Sequence, residues 1–283
     1  MSTTTTALRT VRENGLSSLT RRSLAYVALR SPLANVASRR LYWTIGPRFV
    51  RWHHNCALEQ YAAPLEPFCV RWVDPANIDR FSRRPYPPDR NRRELFGSVR
   101  DGEWDRRSMA ETPDSSPEEF PRHLFDAETI AETPLYRAIE DCIVGDDDWL
   151  ETPFVREVLE RLAAGEYPVW GTCRDRADVL ERCRELEALA VDVICAGYRS
   201  QRELVAAGES DRDFVGTFAE EITVDVARDG ELLAVGGKHR LCLTKAIGLE
   251  RVPVSILVRH RDWVERCEQQ WFESDGGFYE DIG

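Results

Sequence analysis

Between residues 221 and 259 the chain spells out one order of elements and leaves little freedom in how to fold it. Ile222, Val224 and Val226 alternate with polar neighbours, the period of a strand with one buried face. Asp229-Gly230 is a two-residue hairpin turn, and residues 231–235 return as the partner strand. Gly236-Gly237-Lys238-His239-Arg240 then opens a helix that runs to Ile247 and is closed by Gly248, and residues 252–258 form the next strand. Strand, turn, strand, glycine loop, helix, strand predicts an α/β class, with mixed α+β as its variant: a small mixed sheet bearing the glycine loop.

That loop has the physics of an anion site. Two glycines let the backbone approach a ligand closely, and the first amides of a helix lack intrahelical acceptors. The helix dipole and the side chains of Lys238, His239 and Arg240 add positive charge at the same place. The competing reading is a tight strand-to-helix turn carrying three exposed bases.

The charge distribution narrows the partners. Residues 1–56 hold nine arginines against one acid, Glu13, a net of +8, which leaves −19 on the rest of a chain whose total is −11. A body that acidic repels a phosphate backbone, so DNA is disfavoured as a partner. Residues 16–52, basic and aromatic, predict an arm that packs on the chain's own acidic body or else contacts an anionic membrane surface or an acidic partner. Of the 38 basic side chains only Lys238 and Lys245 are lysines, a composition that fits a salt-adapted or GC-rich source, such as a haloarchaeon. No apolar run is long enough to span a bilayer, and arginines interrupt any leader-like segment, so the expectation is a cytoplasmic protein, peripheral at the membrane if the arm works there. The eight cysteines form no Cys-x-x-Cys pair, which points to reduced thiols and no structural metal.

Elsewhere, residues 68–75 read as a short strand stopped by Asp74-Pro75, residues 82–93 and 111–123 as loops, and 102–107 as a turn carrying Trp104, Asp105 and Arg106. Thr152-Pro153 starts a helix that Gly165 closes, and a longer helix covers about 176–196, with Leu180, Cys183, Leu186, Leu189, Ala190, Val193 and Ile194 facing inward. The predicted organisation is a basic arm over 1–56 and one domain over 57–275. Within that domain lie a helical elaboration at about 95–210 and the loop-bearing core at about 220–260, and a tail follows at 276–283.

Residues 220–249 resemble the core of the ParB/sulfiredoxin superfamily. ParB proteins carry two strands joined by a glycine turn, then Gly-Glu-Arg-Arg opening a helix that ends in Leu-Gly; sulfiredoxins carry Gly-Gly-Cys-His-Arg at that place. This chain reads Gly236-Gly237-Lys238-His239-Arg240, and the match continues through Ile247-Gly248-Leu249 and the Val252-Pro253-Val254 strand. About forty residues are covered. The resemblance implies that Gly236, Gly237, Lys238, His239 and Arg240 cradle the phosphates of a nucleotide (ATP, ADP or CTP) with Mg2+. Lys238 stands where sulfiredoxins have their reactive cysteine, so sulfiredoxin chemistry is not implied. Only about 23 residues follow His260, too few for the helix-turn-helix domain of ParB.

The leading expectation is nucleotide-dependent phosphotransfer or nucleotide hydrolysis acting on an unidentified small-molecule acceptor. Lys238 would neutralise developing charge, Glu221 at the strand entrance would act as base or metal-binding acid, and His239 is a second base candidate. Trp104, Asp105 and Arg106 would supply substrate contacts from the elaboration. Two alternatives stand beside it: a non-catalytic module that responds to nucleotide, and an assembly protein that works through its basic arm.

Overall fold

A computed structural model describes residues 57–274. By its internal contacts the chain divides into two units, Cys56–Ser210 with Thr217–Gly283, and Met1–Asn55 with Asp211–Gly216. The sheet, the glycine loop and most helices belong to the first. The basic arm at 16–52 and the tail at 276–283 lie outside the described residues.

The architecture is α/β, built on one mixed five-stranded sheet. The long strand β5 (Val252–His260) is its axis. Along one side of β5, β1 (Val70–Val73) pairs antiparallel with its first half, Val70 opposite Ser255, and β2 (Ser98–Arg100) pairs parallel with its second half, Ser98 opposite Val258. On the other side β3 (Ile222–Val226) runs parallel to β5, and β4 (Leu232–Gly236) pairs antiparallel with β3 through the predicted hairpin. The outer edge of β4 is covered, because Ser82 donates its amide to the Ala234 carbonyl and Ala234 donates back to Arg80.

Seven α-helices accompany the sheet among the described residues: α1 (Pro134–Ile139), α2 (Pro153–Ala163), α3 (Arg176–Ala196), α4 (Gln201–Ala206), α5 (Phe214–Ala219), α6 (Lys238–Ala246) and α7 (Arg261–Glu273). Thr152 caps α2 through its hydroxyl, with Pro153 at the first helical position, and Gly197 ends α3 at φ 78°. The apolar side of the sheet (Ile222, Val224, Val226, Val252, Val254, Ile256) joins one core with residues of α1, α2, α3, α6 and α7. One expected core position differs: Ile194 is 64% exposed, and Val193 and Ala190 carry the burial at that end of α3. Cys183, Cys242 and Cys267 pack in this core as small apolar side chains, and no cysteine among the described residues forms a disulfide with another of them.

The opposite face of β3 is buried too, although Thr223 and Asp225 alternate with the apolar residues. The pairing of β3 with β5 shifts register between Val224 and Val226, so Val224 faces Ile256 while Val226 faces Arg259. Asp225 repairs the ladder at that bulge by accepting the Val258 amide at 3.1 Å. It also accepts from the Ser82 hydroxyl at 2.5 Å and from Arg84 Nε at 2.6 Å, which ties the 82–93 loop to the sheet.

Candidate functional site

The glycine loop is shaped by what surrounds it. Gly237 caps α6 in the left-handed conformation (φ 76°, ψ 27°), and a Cβ there would lie 3.0 Å from Ile222 Cα. A Cβ on Gly236 would lie 2.6 Å from both Arg92 Nη1 and Thr223 Oγ1. The two glycines therefore do different work: Gly237 makes the turn, and Gly236 leaves room for a guanidinium to lie against the strand end. Gly237→Ala should cost about 1–2 kcal/mol for left-handed backbone alone, read as a lower urea midpoint at unchanged slope.

The first main-chain bond of α6 runs from the Leu241 amide to the Gly237 carbonyl, so the amides of Lys238, His239 and Arg240 have no main-chain acceptor among the described residues. Arg92, from the 82–93 loop, is the cation beside this helix end. It stands 3.6 Å from Asp89 and 3.6 Å from Glu220, both partly exposed. Sequence reading placed no function on Arg92 or Asp89; the arginine-rich composition of the 82–93 loop was the available signal.

The three bases of the loop point inward rather than toward solvent, which corrects the expected picture. Lys238 as a residue is only half-buried, but its ammonium lies 4.9 Å from the Phe81 ring centre and 4.8 Å from that of Tyr86. It donates to the Phe125 carbonyl at 2.8 Å and to the Tyr86 hydroxyl at 3.3 Å. Burial lowers its pKa to about 8, against the opposing pull of Asp126 and Asp89. The wall that holds it is pinned from behind: Arg83 and Arg122 both bind Asp126, and Arg122 lies over the Tyr86 ring at 4.5 Å. With its donors engaged in this way, Lys238 is a fixture of the loop and not an unattached charge awaiting a phosphoryl group.

His239 accepts a hydrogen bond at Nε2 from the indole of Trp170, 2.6 Å away. An indole N–H can only donate, so Nε2 is the unprotonated nitrogen of a neutral ring. Burial drives the pKa of His239 down to about 3, with Arg182, Lys238 and Arg240 reinforcing it. Its basic nitrogen is occupied, which removes the general-base role expected for it. Arg240 donates to the Tyr198 hydroxyl at 3.3 Å and to the Glu220 carbonyl, and lies 3.9 Å from Glu221. Glu221 is fully buried and accepts the amide of Gln201 at the start of α4. The acid at the loop mouth is its neighbour, Glu220.

Trp104, Asp105 and Arg106 do not belong to this site. Asp105 grips Arg228 through both carboxylate oxygens at 2.8 and 2.9 Å, and Arg228 sits in the β3–β4 turn, at the end of the hairpin away from Gly236. Five strand residues, at roughly 3.3 Å each, separate the two ends by about 15 Å. Burial pushes the Asp105 carboxyl up, but the Arg228 bonds prevail and hold it near 2. Trp104 is buried against the His260 ring, while Arg106 is exposed 3.9 Å from Glu103. This turn is a structural corner that locks the hairpin to β5.

Among the described residues no three His, Cys, Asp or Glu side chains gather to hold a metal ion, and no helix is long and apolar enough to cross a membrane. No protein-family model, curated protein or solved structure matches this chain.

Proposed function

We propose that the chain binds a nucleoside phosphate at the N-terminus of α6 and works as a nucleotide-responsive binding module. The observation that carries this reading is the cradle itself: the acceptor-less amides of Lys238, His239 and Arg240 lie beside a Gly236 stripped of any Cβ, with Arg92 against it. Helix amides, a dipole and one arginine are a sufficient set for a phosphate. The resemblance of Gly236-Gly237-Lys238-His239-Arg240 to the nucleotide loop of the ParB/sulfiredoxin superfamily supports the same ligand. Lys238, His239 and Arg240 serve the cradle by fixing its backbone against Phe125, Trp170 and Glu220. Binding rather than chemistry is favoured, because the side chains expected to act on a substrate are already engaged.

A phosphotransferase or nucleotide hydrolase is the second reading, favoured by one observation. Asp89 and Glu220 flank Arg92 at the loop mouth, and a phosphate that draws Arg92 away would leave two carboxylates there. These are the residues that would hold Mg2+, whose contribution is to neutralise charge on phosphate oxygens. The small-molecule acceptor of that reading has no assigned contacts once Trp104, Asp105 and Arg106 are set aside.

Thermal unfolding with ATP, ADP, CTP and GTP, each with Mg2+, tests the proposal on the wild type and on Arg92→Ala. A nucleotide at a hundred times its dissociation constant should stabilise the wild type by about 2.7 kcal/mol, and most of that gain should vanish in the variant. No shift with any nucleotide would sink the binding site. Phosphate release that disappears in Glu220→Gln while binding survives would select the enzyme over the module.

A further inference from the structure

Two fully buried hydroxyls in the middle of the sheet, Thr223 Oγ1 on β3 and Ser255 Oγ on β5, have no hydrogen-bond partner among the described residues. They are neighbours. Gly236, Thr223, Ser255 and Val70 stand in register across β4, β3, β5 and β1, so their side-chain positions form one row on one face of the sheet. We infer that the Thr223 hydroxyl seats the terminal phosphate of the ligand cradled at the N-terminus of α6; this rests on the nucleotide-binding reading proposed above.

Position is the first reason. The row begins at the cradle, because Gly236 precedes the glycine that caps α6. The point that a Cβ on Gly236 would occupy is 2.6 Å from Thr223 Oγ1 and 2.6 Å from Arg92 Nη1. The hydroxyl and the guanidinium therefore stand no more than twice that distance apart, beside the open amides, and residue 236 puts no side chain between them. Arg92 is the movable member of the pair. Its contacts with Asp89 and Glu220 are both 3.6 Å, too long for hydrogen bonds, and both carboxylates are partly exposed. A guanidinium that turns to meet a phosphate opens the space next to Thr223.

Unused hydrogen-bonding capacity is the second reason. Asp225, two residues further along the same face of β3, serves three donors, so this face is not short of partners in general. A buried hydroxyl with no partner has given up its bonds to water for nothing, a cost that valine would avoid at nearly the same shape. An O–H aimed at the cradle is answered by a phosphate oxygen, and hydrogen bonds to a charged group are among the strong ones. The row also fixes which part of the ligand arrives. Past Thr223 come Ser255, fully buried, and Val70, so a chain of phosphates cannot continue through the sheet. The group that meets Thr223 is the end of that chain.

Isothermal titration calorimetry on the full-length chain with MgATP, MgCTP and magnesium pyrophosphate tests the assignment, paired with urea titrations without ligand. Thr223→Val should bind the nucleotide about tenfold more weakly than the wild type, the loss expected for one hydrogen bond to a charged group, while its urea midpoint is no lower. Pyrophosphate, which has the chain end without the nucleoside, should show the same ratio. Thr223→Ser keeps the hydroxyl and should stay within about threefold of the wild type, and Ser255→Ala, one strand further in, within about twofold. Binding that survives Thr223→Val but is lost in Arg92→Ala would overturn the role of Thr223 and leave the cradle standing. No binding of any of the three ligands by the wild type would remove both. Midpoints lowered alike by Thr223→Val and Ser255→Ala, with affinity intact, would assign the two hydroxyls to a shared buried water and overturn the inference as well.

Discussion

Asp225→Ala should be the most damaging single substitution in the sheet, lowering stability by about 3–5 kcal/mol. The carboxylate is fully buried and serves three donors at once: the Ser82 hydroxyl, the Arg84 guanidinium and the Val258 amide. Its loss strands the amide in the middle of the central strand and leaves Arg84, only 12% exposed, beside an empty space. An orphaned buried donor costs the full desolvation of that group, and an uncompensated buried charge costs more. Asp225→Asn separates the two effects. An amide oxygen can still take the Val258 N–H, so the bulge survives while the ion pair is lost, and the cost should fall between wild type and alanine. Urea titrations would show this as a graded fall in midpoint at constant slope. A loss below about 1 kcal/mol for the alanine variant would mean that the 82–93 loop is not anchored through this residue.

That residue also shows where the sequence was legible and where it was not. Alternation of Ile222, Val224 and Val226, the Asp229-Gly230 turn, the Gly236-Gly237 loop and the stop at Gly248 are all local signals, and each corresponds to the element it predicts. Alternation gave one face of β3 to the core but could not say that the polar face would be covered, because Ser82 and Arg84 come from more than 140 residues away. The helix α1 has a readable start in Thr133-Pro134, the same signature as Thr152-Pro153, but its six residues are too few to show a helical period. Helix α7 lacked an ordinary signal. Its cap is His260, whose ring Nδ1 accepts the Asp262 amide at 3.2 Å, and an imidazole is not among the usual capping groups.

In the candidate site the backbone was legible and the side-chain directions were not. A glycine pair before a helix announces a turn with open amides, and that is a local property. Whether the following bases point out or in depends on partners that arrive late: Tyr86 is 152 positions from Lys238, and Trp170 is 69 from His239. Lysine rarity was a usable clue. In a chain that otherwise uses arginine, both lysines sit where a compact ammonium is required. Lys238 is enclosed by Phe81 and Tyr86, and Lys245 converges on the carbonyls of Pro75, Ala76 and Ile78. A planar guanidinium cannot aim its donors at three carbonyls of one turn, whereas an ammonium can.

The second large effect is on acid stability, and it comes from His239. In the unfolded chain this histidine takes up a proton near its ordinary value of 6.5, whereas in the fold it resists protonation until about 3. Between those values the unfolded state binds more protons, so stability rises with pH. The contribution is complete above pH 6.5 and is lost progressively as pH falls toward 3, at up to about 1.4 kcal/mol per pH unit. Asp105, held near 2 by Arg228, adds its own loss only below its ordinary value of 3.8. Glu157, pushed up by burial but held below its ordinary 4.5 by Arg161, and Glu203, held below the same value by Ser200, begin to add theirs toward the lower end of the interval from 6 to 4. The histidine is therefore isolated by difference from a variant that cannot titrate at 239. His239→Gln supplies the control, since a side-chain amide oxygen can accept from the Trp170 indole but cannot titrate. The wild type should lose stability steeply between pH 6 and pH 4 by urea titration, and the glutamine variant should show a distinctly shallower slope there. Parallel slopes would mean that the ring is protonated within the fold, that the Trp170 bond is absent, and that His239 is again available as a base.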